Sequence, residues 1–250
     1  MESLYRSWKT VLEMIDERGM SVIESVPDIN IKSFSEFTST VAIAILRNVS
    51  QSASVSDARK HMRVVFAKKK DLIINGDSNS IASEEMPTLS TLGKKSTVTI
   101  VIWKESLGSN EVKDTYVESR KFDASRVIIV YEKKITSYAA NGIKSLNALG
   151  IKVEMFTELS LQINVTKHYL VPKHALCTAY EKREILEKYF PGCNKNELKT
   201  KIPIIFAKDP VAAFMGAPKG ALIKITRPCE STPEAPDGTK LYEISYRIVV

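Results

Sequence analysis

Apolar residues near the start of the chain repeat with the spacing of an α-helix. They fall at positions i, i+4, i+7, i+8 and i+11, which places them on one helical face. The five residues are Leu4, Trp8, Val11, Leu12 and Ile15. Gly19 follows at a point where glycine often ends a helix with a positive φ. The pattern therefore predicts a first helix that packs against a core.

Further along, three segments are rich in β-branched residues and predict strands: 62–67, 98–103 and 126–131. The segment 34–46 is apolar and fits either a helix or a strand. The segment 110–122 is polar and predicts no element.

The last part of the N-terminal half alternates between element types. Residues 137–149 predict a helix that ends at Gly150, and 151–156 alternate as in a half-exposed strand. A strand, a helix and a strand between 127 and 156 form a βαβ unit. We therefore expect residues 1–157 to form an α/β domain with a small sheet, in which 75–93 is a surface loop rich in Gly, Ser and Asn.

The remaining residues, 158–250, combine short strands with short helices. Alternating segments at 161–165, 221–227 and 241–249 predict strands, and 229–240 predicts a loop with three prolines nearby. Thr178 and Glu181 have the spacing of a capping box, which marks the start of a helix. Asn194 with Glu197 repeats that logic, and Asp209 before Pro210 predicts another helix start. This part is predicted to be an α+β domain.

The charge of the chain is moderately positive. Its 250 residues carry a net charge of +7. Residues 1–157 contribute 22 Lys and Arg against 19 Asp and Glu, a net +3, and residues 158–250 contribute 14 against 10, a net +4. Neither half has the concentrated charge of a dedicated DNA-binding domain, so any DNA contact should be weak.

No pattern of reactive side chains predicts catalysis, a cofactor or a metal. The three cysteines, Cys177, Cys193 and Cys229, match no metal motif or disulfide framework. A proline interrupts the segment between His168 and His174, so their imidazoles do not share a helical face. The start of the chain does not resemble a signal peptide. No apolar run approaches the roughly 20 residues that cross a bilayer, so no membrane partner is expected.

The residues from 161 onward resemble a known family. Residues 161–174 read Leu-Gln-Ile-Asn-Val-Thr-Lys-His-Tyr-Leu-Val-Pro-Lys-His. They resemble the opening of the C-terminal domain in the fifth-largest subunit of eukaryotic nuclear RNA polymerases, a domain that is similar to a subunit of the archaeal RNA polymerase. Similar motifs follow in the family's order at 209–212, 216–220, 223–227 and 245–248. The residues matched in these motifs are His168, Val171, Pro172, His174, Asp209, Pro210, Val211, Gly216, Gly220, Arg227, Tyr246 and Arg247.

The N-terminal half resembles the same family more loosely, in the first helix and in residues 130–136. The resemblance implies an α/β N-terminal jaw domain with a small sheet, lying near downstream DNA, plus an α+β C-terminal assembly domain that docks on the largest subunit. The DNA-proximal residues would be Lys133, Lys134, Thr136, Ser137 and Lys144. Lysines there would contact phosphates weakly and without sequence preference.

The resemblance thus implies a non-catalytic polymerase subunit in the nucleus, with other polymerase subunits and duplex DNA as partners. Three departures from the family stand out: Ser137 replaces a proline, a basic residue is missing within 202–205, and two loops are long. They leave two possibilities open: a subunit shared by polymerases I, II and III, or a copy specific to one of them, which would be nucleolar for polymerase I. The alternatives from other classes are a free nucleic-acid-binding transcription regulator and, less favoured, an enzyme.

Overall fold

A computed structural model describes residues 1–28, 30–46, 55–68, 97–229 and 241–250. These residues divide into two compact units, Met1–Ile163 and Asn164–Val250. The predicted loop at 75–93 lies outside the described residues, and so does the predicted loop at 229–240 beyond its first residue, Cys229.

The first unit contains a five-stranded sheet in the order β1-β2-β3-β4-β5. Strands β1, β2 and β3 are antiparallel neighbours, whereas β3, β4 and β5 run parallel. Parallel strands need a crossover, and a helix supplies it in each case. The strands are β1 (Met20–Val26), β2 (Arg63–Lys68), β3 (Thr99–Lys104), β4 (Arg126–Tyr131) and β5 (Lys152–Thr157).

Helices cover both faces of this sheet. They are α1 (Glu2–Glu17), α2 (Phe34–Leu46), α3 (Val55–His61), α4 (Ser109–Lys121) and α5 (Ser137–Ala148). On one face, Ile100 and Ile129 pack with Val112 of α4 and Ile143 of α5. On the other face, the Trp103 indole donates a 3.2 Å hydrogen bond to Ser7 Oγ of α1. Burial on both faces explains why β3 and β4 are continuous apolar runs.

The structure confirms the first helix, the strands predicted at 62–67, 98–103, 126–131 and 151–156, and the helix that ends at Gly150. The ambiguous segment 34–46 is a helix. Helix α4 was not predicted because it buries Thr115 and Ser119 beside Val112. Both hydroxyls donate to carbonyls of their own helix, so polar residues fill positions that a periodicity test expects to be apolar.

The second unit contains a four-stranded sheet in the order β6-β8-β9-β7. Strands β6, β8 and β9 are antiparallel, and β7 runs parallel to β9. Ile223 and Ile225 pack with Ala212 on one face, and Leu222 and Ile248 pack with residues of the helices on the other. The elements are β6 (Lys173–Leu176), α6 (Ala179–Tyr189), α7 (Lys195–Lys201), β7 (Ile204–Ile205), α8 (Pro210–Phe214), β8 (Leu222–Pro228) and β9 (Tyr242–Val249).

All three predicted helix starts in this unit are confirmed. Thr178 Oγ1 accepts the Glu181 N–H at 3.2 Å, and a Glu181 carboxylate oxygen accepts the Thr178 N–H at 2.7 Å. Asn194 Oδ1 accepts the Glu197 N–H at 3.0 Å. Asp209 Oδ1 accepts the N–H groups of Val211 and Ala212.

The strand predicted at 161–165 is wrong. The chain instead forms two short 3-10 helices, Leu159–Leu161 and Val165–Lys167. Asn164 Oδ1 accepts both the Thr166 N–H and its hydroxyl, at 3.0 and 2.6 Å, which starts the second turn. Such local bonds from an asparagine side chain compete with an extended backbone.

Candidate nucleic-acid and subunit interfaces

Two connecting loops run side by side where the parallel strands β3 and β4 end. The N–H groups of Glu132 and Lys133 donate to the carbonyls of Lys104 and Glu105, at 3.3 and 2.8 Å. The Thr136 N–H donates to Leu107 O at 3.0 Å. These bonds continue the pairing of the strands beyond their ends, so the loop that carries the DNA-proximal candidates has a defined path.

Helix α5 begins directly after this loop. Thr136 caps it, because Thr136 Oγ1 accepts the Ala139 N–H at 3.2 Å and also donates to Leu107 O. Ser137 is exposed in the first turn, and Lys144 is exposed two turns later on the same helical face, about 10 Å along the axis. The start of a helix carries unpaired N–H groups and a partial positive charge, which favour phosphate oxygens.

The two lysines of the loop differ in their surroundings. Lys133 Nζ forms an ion pair with Glu105, and this hydrogen bond raises the pKa of Lys133 above its ordinary value. Lys134 is exposed. Glu105 would therefore compete with any phosphate group that approached Lys133.

A buried arginine supports the same loop, and no pattern in the sequence indicates it. Arg59 Nε lies 2.9 Å from Glu158 Oε2, and Arg59 Nη1 lies 3.0 Å from Glu132 Oε2. Ser3 Oγ donates to Glu158 Oε1 at 2.7 Å. The residue before Lys133 is thus anchored to α3, which lies far away in the sequence.

In the second unit, the histidines of the family motif make local hydrogen bonds. His168 Nδ1 accepts the Leu170 N–H at 3.3 Å, and its ring stacks on exposed Tyr169. His174 Nδ1 lies 2.7 Å from the Pro172 carbonyl, which only accepts, so this nitrogen carries the proton. Val171 donates its N–H to His168 O, which closes a tight turn.

Five further motif residues lie at the start of α8, at its end and at the turn into β8. Asp209 and Pro210 start α8, where Val211 is buried. Gly216 ends that helix with φ of +65°, and Gly220 has φ of +82° at the turn into β8. Both glycines occupy a left-handed region that other residues adopt at a cost.

The last three motif residues lie on β8 and β9. Arg227 is opposite Glu243, and Arg247 is opposite Ile223, on one face of the sheet. Tyr246 lies on the other face, near the Tyr189 ring, and burial raises the pKa of its hydroxyl. The motif residues are therefore spread over two faces and several turns of the unit and do not converge on one pocket.

Within the described ranges, no group of three or more His, Cys, Asp or Glu side chains is arranged to hold a metal ion. A search of the same residues finds no helix with the length and apolar character needed to cross a membrane.

Comparison with known proteins finds a family model and several relatives that this chain resembles. Residues 163–249 match the family model described as RNA polymerase Rpb5, C-terminal domain. The subunit RPABC1 of DNA-directed RNA polymerases I, II, and III from Caenorhabditis briggsae is 28% identical, over 98% of this chain and 96% of the relative. The same subunit from Caenorhabditis elegans is 27% identical with equal coverage.

A third relative matches a shorter stretch at higher identity. The subunit of the same name from Dictyostelium discoideum is 36% identical over 127 residues, which make up 50% of this chain and 61% of the relative. Residues 163–249 thus match the Rpb5 C-terminal domain, and the resemblance of the chain to the fifth-largest subunit of the nuclear RNA polymerases is confirmed.

Proposed function

We propose that this chain is a non-catalytic subunit of a nuclear DNA-directed RNA polymerase. The observation that carries the proposal is the match of residues 163–249 to the Rpb5 C-terminal domain, within an alignment to RPABC1 that spans 98% of the chain. Those relatives are, by name, subunits of RNA polymerases I, II and III. The chain accordingly acts in the nucleus, within a multisubunit transcription complex.

In this proposal, the C-terminal domain docks on the largest subunit. Its support is a set of large apolar side chains in the second unit that the chain leaves exposed. Their exposed fractions are 87% for Tyr169, 70% for Leu170, 75% for Tyr180 and 65% for Phe206. Aromatic and aliphatic side chains of this kind are typical of the buried centre of a protein interface. Tyr169 and Leu170 also lie inside the family motif.

The N-terminal domain, in the same proposal, lies beside downstream DNA. The start of α5, with Thr136 and Ser137, and the exposed lysines Lys134 and Lys144 support this role. Glu105 and Glu132 lie in the same two loops and limit the positive potential. We therefore expect weak, salt-sensitive contacts that gain strength only when other subunits hold the DNA nearby.

Affinity purification of the tagged chain from its source cells tests the proposal. We expect the largest polymerase subunits to be recovered with it. Recovery with the largest subunits of all three polymerases would identify a shared subunit, and recovery with only one would identify a polymerase-specific copy. Recovery without any polymerase subunit would contradict the proposal.

A matched pair of variants tests the docking surface. Leu170 and Leu149 are similarly exposed, at 70% and 67%, but they lie in different units. Leu170→Asp should lower recovery of the largest subunit about tenfold, because it places a charge in an apolar interface. Leu149→Asp should leave recovery unchanged, and equal losses from both variants would argue against docking through the C-terminal domain.

The alternative of a free nucleic-acid-binding regulator predicts a different result. The purified chain alone would then bind duplex DNA with submicromolar affinity in moderate salt. The proposal predicts much weaker binding, because the net charge of +7 is spread over both halves of the chain.

A further inference from the structure

Strand β9 is paired unequally on its two sides. Along one side it pairs with β8 from Tyr242 to Ile248. On the other side, β7 pairs only with Ile248 and Val249. The edge of β9 from Tyr242 to Tyr246, called here the open edge, therefore has no neighbouring strand in the part of the chain that the structure describes.

The hydrogen bonds of β9 show which backbone groups face the open edge. Leu241 O accepts the Cys229 N–H, and the Val249 N–H donates to Ala221 O. The backbone N–H and C=O groups of the odd-numbered residues of β9 therefore face β8. The Ile248 N–H donates instead to Pro203 O at 3.0 Å. The backbone N–H and C=O groups of the even-numbered residues of β9 therefore face away from β8. The outward groups of the open edge are the N–H and C=O groups of Tyr242, Ile244 and Tyr246.

A proline determines where pairing with β7 stops. Continuing the ladder by one step would require residue 203 to donate its N–H to Tyr246 O. Pro203 has no N–H and cannot donate. Among the described residues, no hydrogen bond reaches the outward groups of Tyr242, Ile244 or Tyr246. The open edge therefore presents alternating donors and acceptors at strand spacing.

The side chains beside the open edge also alternate. Tyr242 and Ile244 are 57% and 48% exposed, on the same face of the strand as Tyr246. Glu243 and Arg247 project on the opposite face, because successive side chains of a strand point in opposite directions. A strand added here would meet apolar groups on one face and one charge of each sign on the other.

We propose that the open edge binds an extended segment of another polymerase subunit, which adds to the sheet as a further strand. The proposal rests on the function proposed above. The segment has about five residues, apolar where it meets Tyr242 and Ile244 and polar on the opposite face, with charges complementary to Glu243 and Arg247. A second copy of this chain is a poorer occupant, because two chains that each carry +7 repel one another.

Amide hydrogen exchange of the full chain, purified alone and within the complex recovered by affinity purification, tests strand addition. In the free chain, we expect the Tyr242 and Ile244 amides to exchange rapidly and the Glu243 and Ser245 amides, which face β8, to be protected. In the complex, the outward amides should slow at least about tenfold, because each gains a hydrogen bond.

The outcomes separate this inference from the proposed function. If the chain recovers polymerase subunits but its Ile244 amide does not slow, strand addition is wrong and the proposed function stands. If the chain recovers no polymerase subunit, both fail together. Protection in the purified chain, accompanied by a dimer in sedimentation, would identify a second copy as the occupant and overturn the inference.

Proline variants give an independent readout. Ile244→Pro removes an outward N–H and spares the ladder with β8, so the full chain should fold but retain its polymerase subunit partners about tenfold less well. Ile244→Ala keeps the N–H and should lose at most about threefold. Leu176→Pro is the matched control, because Leu176 has its N–H on the outer edge of β6, at the other side of the same sheet. Equal losses from Leu176→Pro and Ile244→Pro would overturn the inference.

Discussion

Arg59 and Glu158 form a buried ion pair with two contacts, 2.9 Å from Nε to Oε2 and 3.3 Å from Nη2 to Oε1. Their side chains are 7% and 4% exposed. The pair joins α3 to the residue that follows β5. A third contact, to Glu132, extends it to the loop after β4. One guanidinium thus holds together three segments of the first unit.

Removing one member of this pair should destabilise the first unit strongly. We expect Arg59→Met to lower the free energy of unfolding by about 3 kcal/mol, because it leaves the buried Glu158 carboxylate without its partner. Glu158→Gln should lower it as well, because Arg59 then keeps only the more exposed Glu132 as an anionic partner. Both tryptophans of the chain, Trp8 and Trp103, are buried in this unit. Their fluorescence during urea unfolding therefore measures its stability without interference from the second unit.

An exposed ion pair supplies the control. Arg183 and Glu187 lie one turn apart on α6, and their side chains are 80% and 71% exposed. Arg183→Ala should change stability by less than about 0.5 kcal/mol, because solvent screens such pairs. A Glu158→Gln protein as stable as the unmodified chain would contradict the role given to Arg59.

Glu105 should weaken DNA binding by occupying Lys133. Glu105→Gln removes that competitor, so we expect it to strengthen binding of the purified chain to a short duplex at low salt. The slope of log affinity against log salt should become steeper by about 0.9, the amount for one added phosphate contact. Fluorescence anisotropy over a salt series measures both quantities.

Two lysine variants test which of the two side chains contributes more to DNA binding. Lys144→Ala should weaken binding more than Lys133→Ala, because Lys133 is already paired with Glu105 and Lys144 is exposed on α5. Unchanged binding in both Glu105→Gln and Lys144→Ala would place the DNA elsewhere on the chain.

The capping box at the start of α6 should make the second unit sensitive to acid. Hydrogen bonds from Thr178 hold the pKa of Glu181 below its ordinary value. A lowered pKa means that the carboxylate stabilises the fold above the unfolded pKa of about 4.3, and that this contribution is lost as the pH falls through the folded value. Urea unfolding followed by circular dichroism from pH 6 to pH 3 should therefore show a larger loss for the unmodified chain than for Glu181→Gln.

Thr178→Ala tests the other half of the same box. It removes the oxygen that accepts the Glu181 N–H, so the second unit should lose about 1 kcal/mol at neutral pH. If the stability of the unmodified chain and that of Glu181→Gln fell equally between pH 6 and pH 3, the capping interaction would not depend on the charge of Glu181.

We expect iodoacetamide to alkylate Cys177 more slowly than Cys193 near neutral pH. Burial raises the pKa of its thiol, so less thiolate is present near neutral pH. Cys193, whose sulfur lies 3.1 Å from Lys201 Nζ, provides a comparison within the same chain. Mass spectrometry of the iodoacetamide-treated chain should find Cys193 modified first at pH 7, and the difference should narrow as the pH rises. Equal rates at pH 7 would contradict this order.

Much of the fold was predictable from local patterns, but not all of it. The first helix and strands β3 and β4 follow from apolar spacing, because the core demands those side chains. Helix α4 was not predicted, because two of its buried positions hold polar residues. The hydroxyls of Thr115 and Ser119 donate hydrogen bonds to backbone carbonyls of the same helix. At 161–165, alternation predicted a strand, yet the side chain of Asn164 turns the chain instead.

The candidate interfaces were less accessible to sequence reasoning. The family resemblance drew attention to residues 133–137 and to the motif residues of the second unit. Single-sequence patterns contain no signal for the Arg59–Glu158 pair, whose members are 99 positions apart. The open edge was equally hidden, because strand β7 was not predicted and only its register against β9 reveals the role of Pro203.

The pairing between the loops that follow β3 and β4 has a mechanical consequence. A load on α5 enters the loop at Thr136, whose N–H and hydroxyl both donate to Leu107 O. The same loop is bonded at Glu132 and Lys133 to the end of β3. A force that a bound polyanion exerts on α5 would therefore be transmitted through β3 and β4 into the centre of the sheet. The connection is held rigidly at both loops and does not act as a hinge.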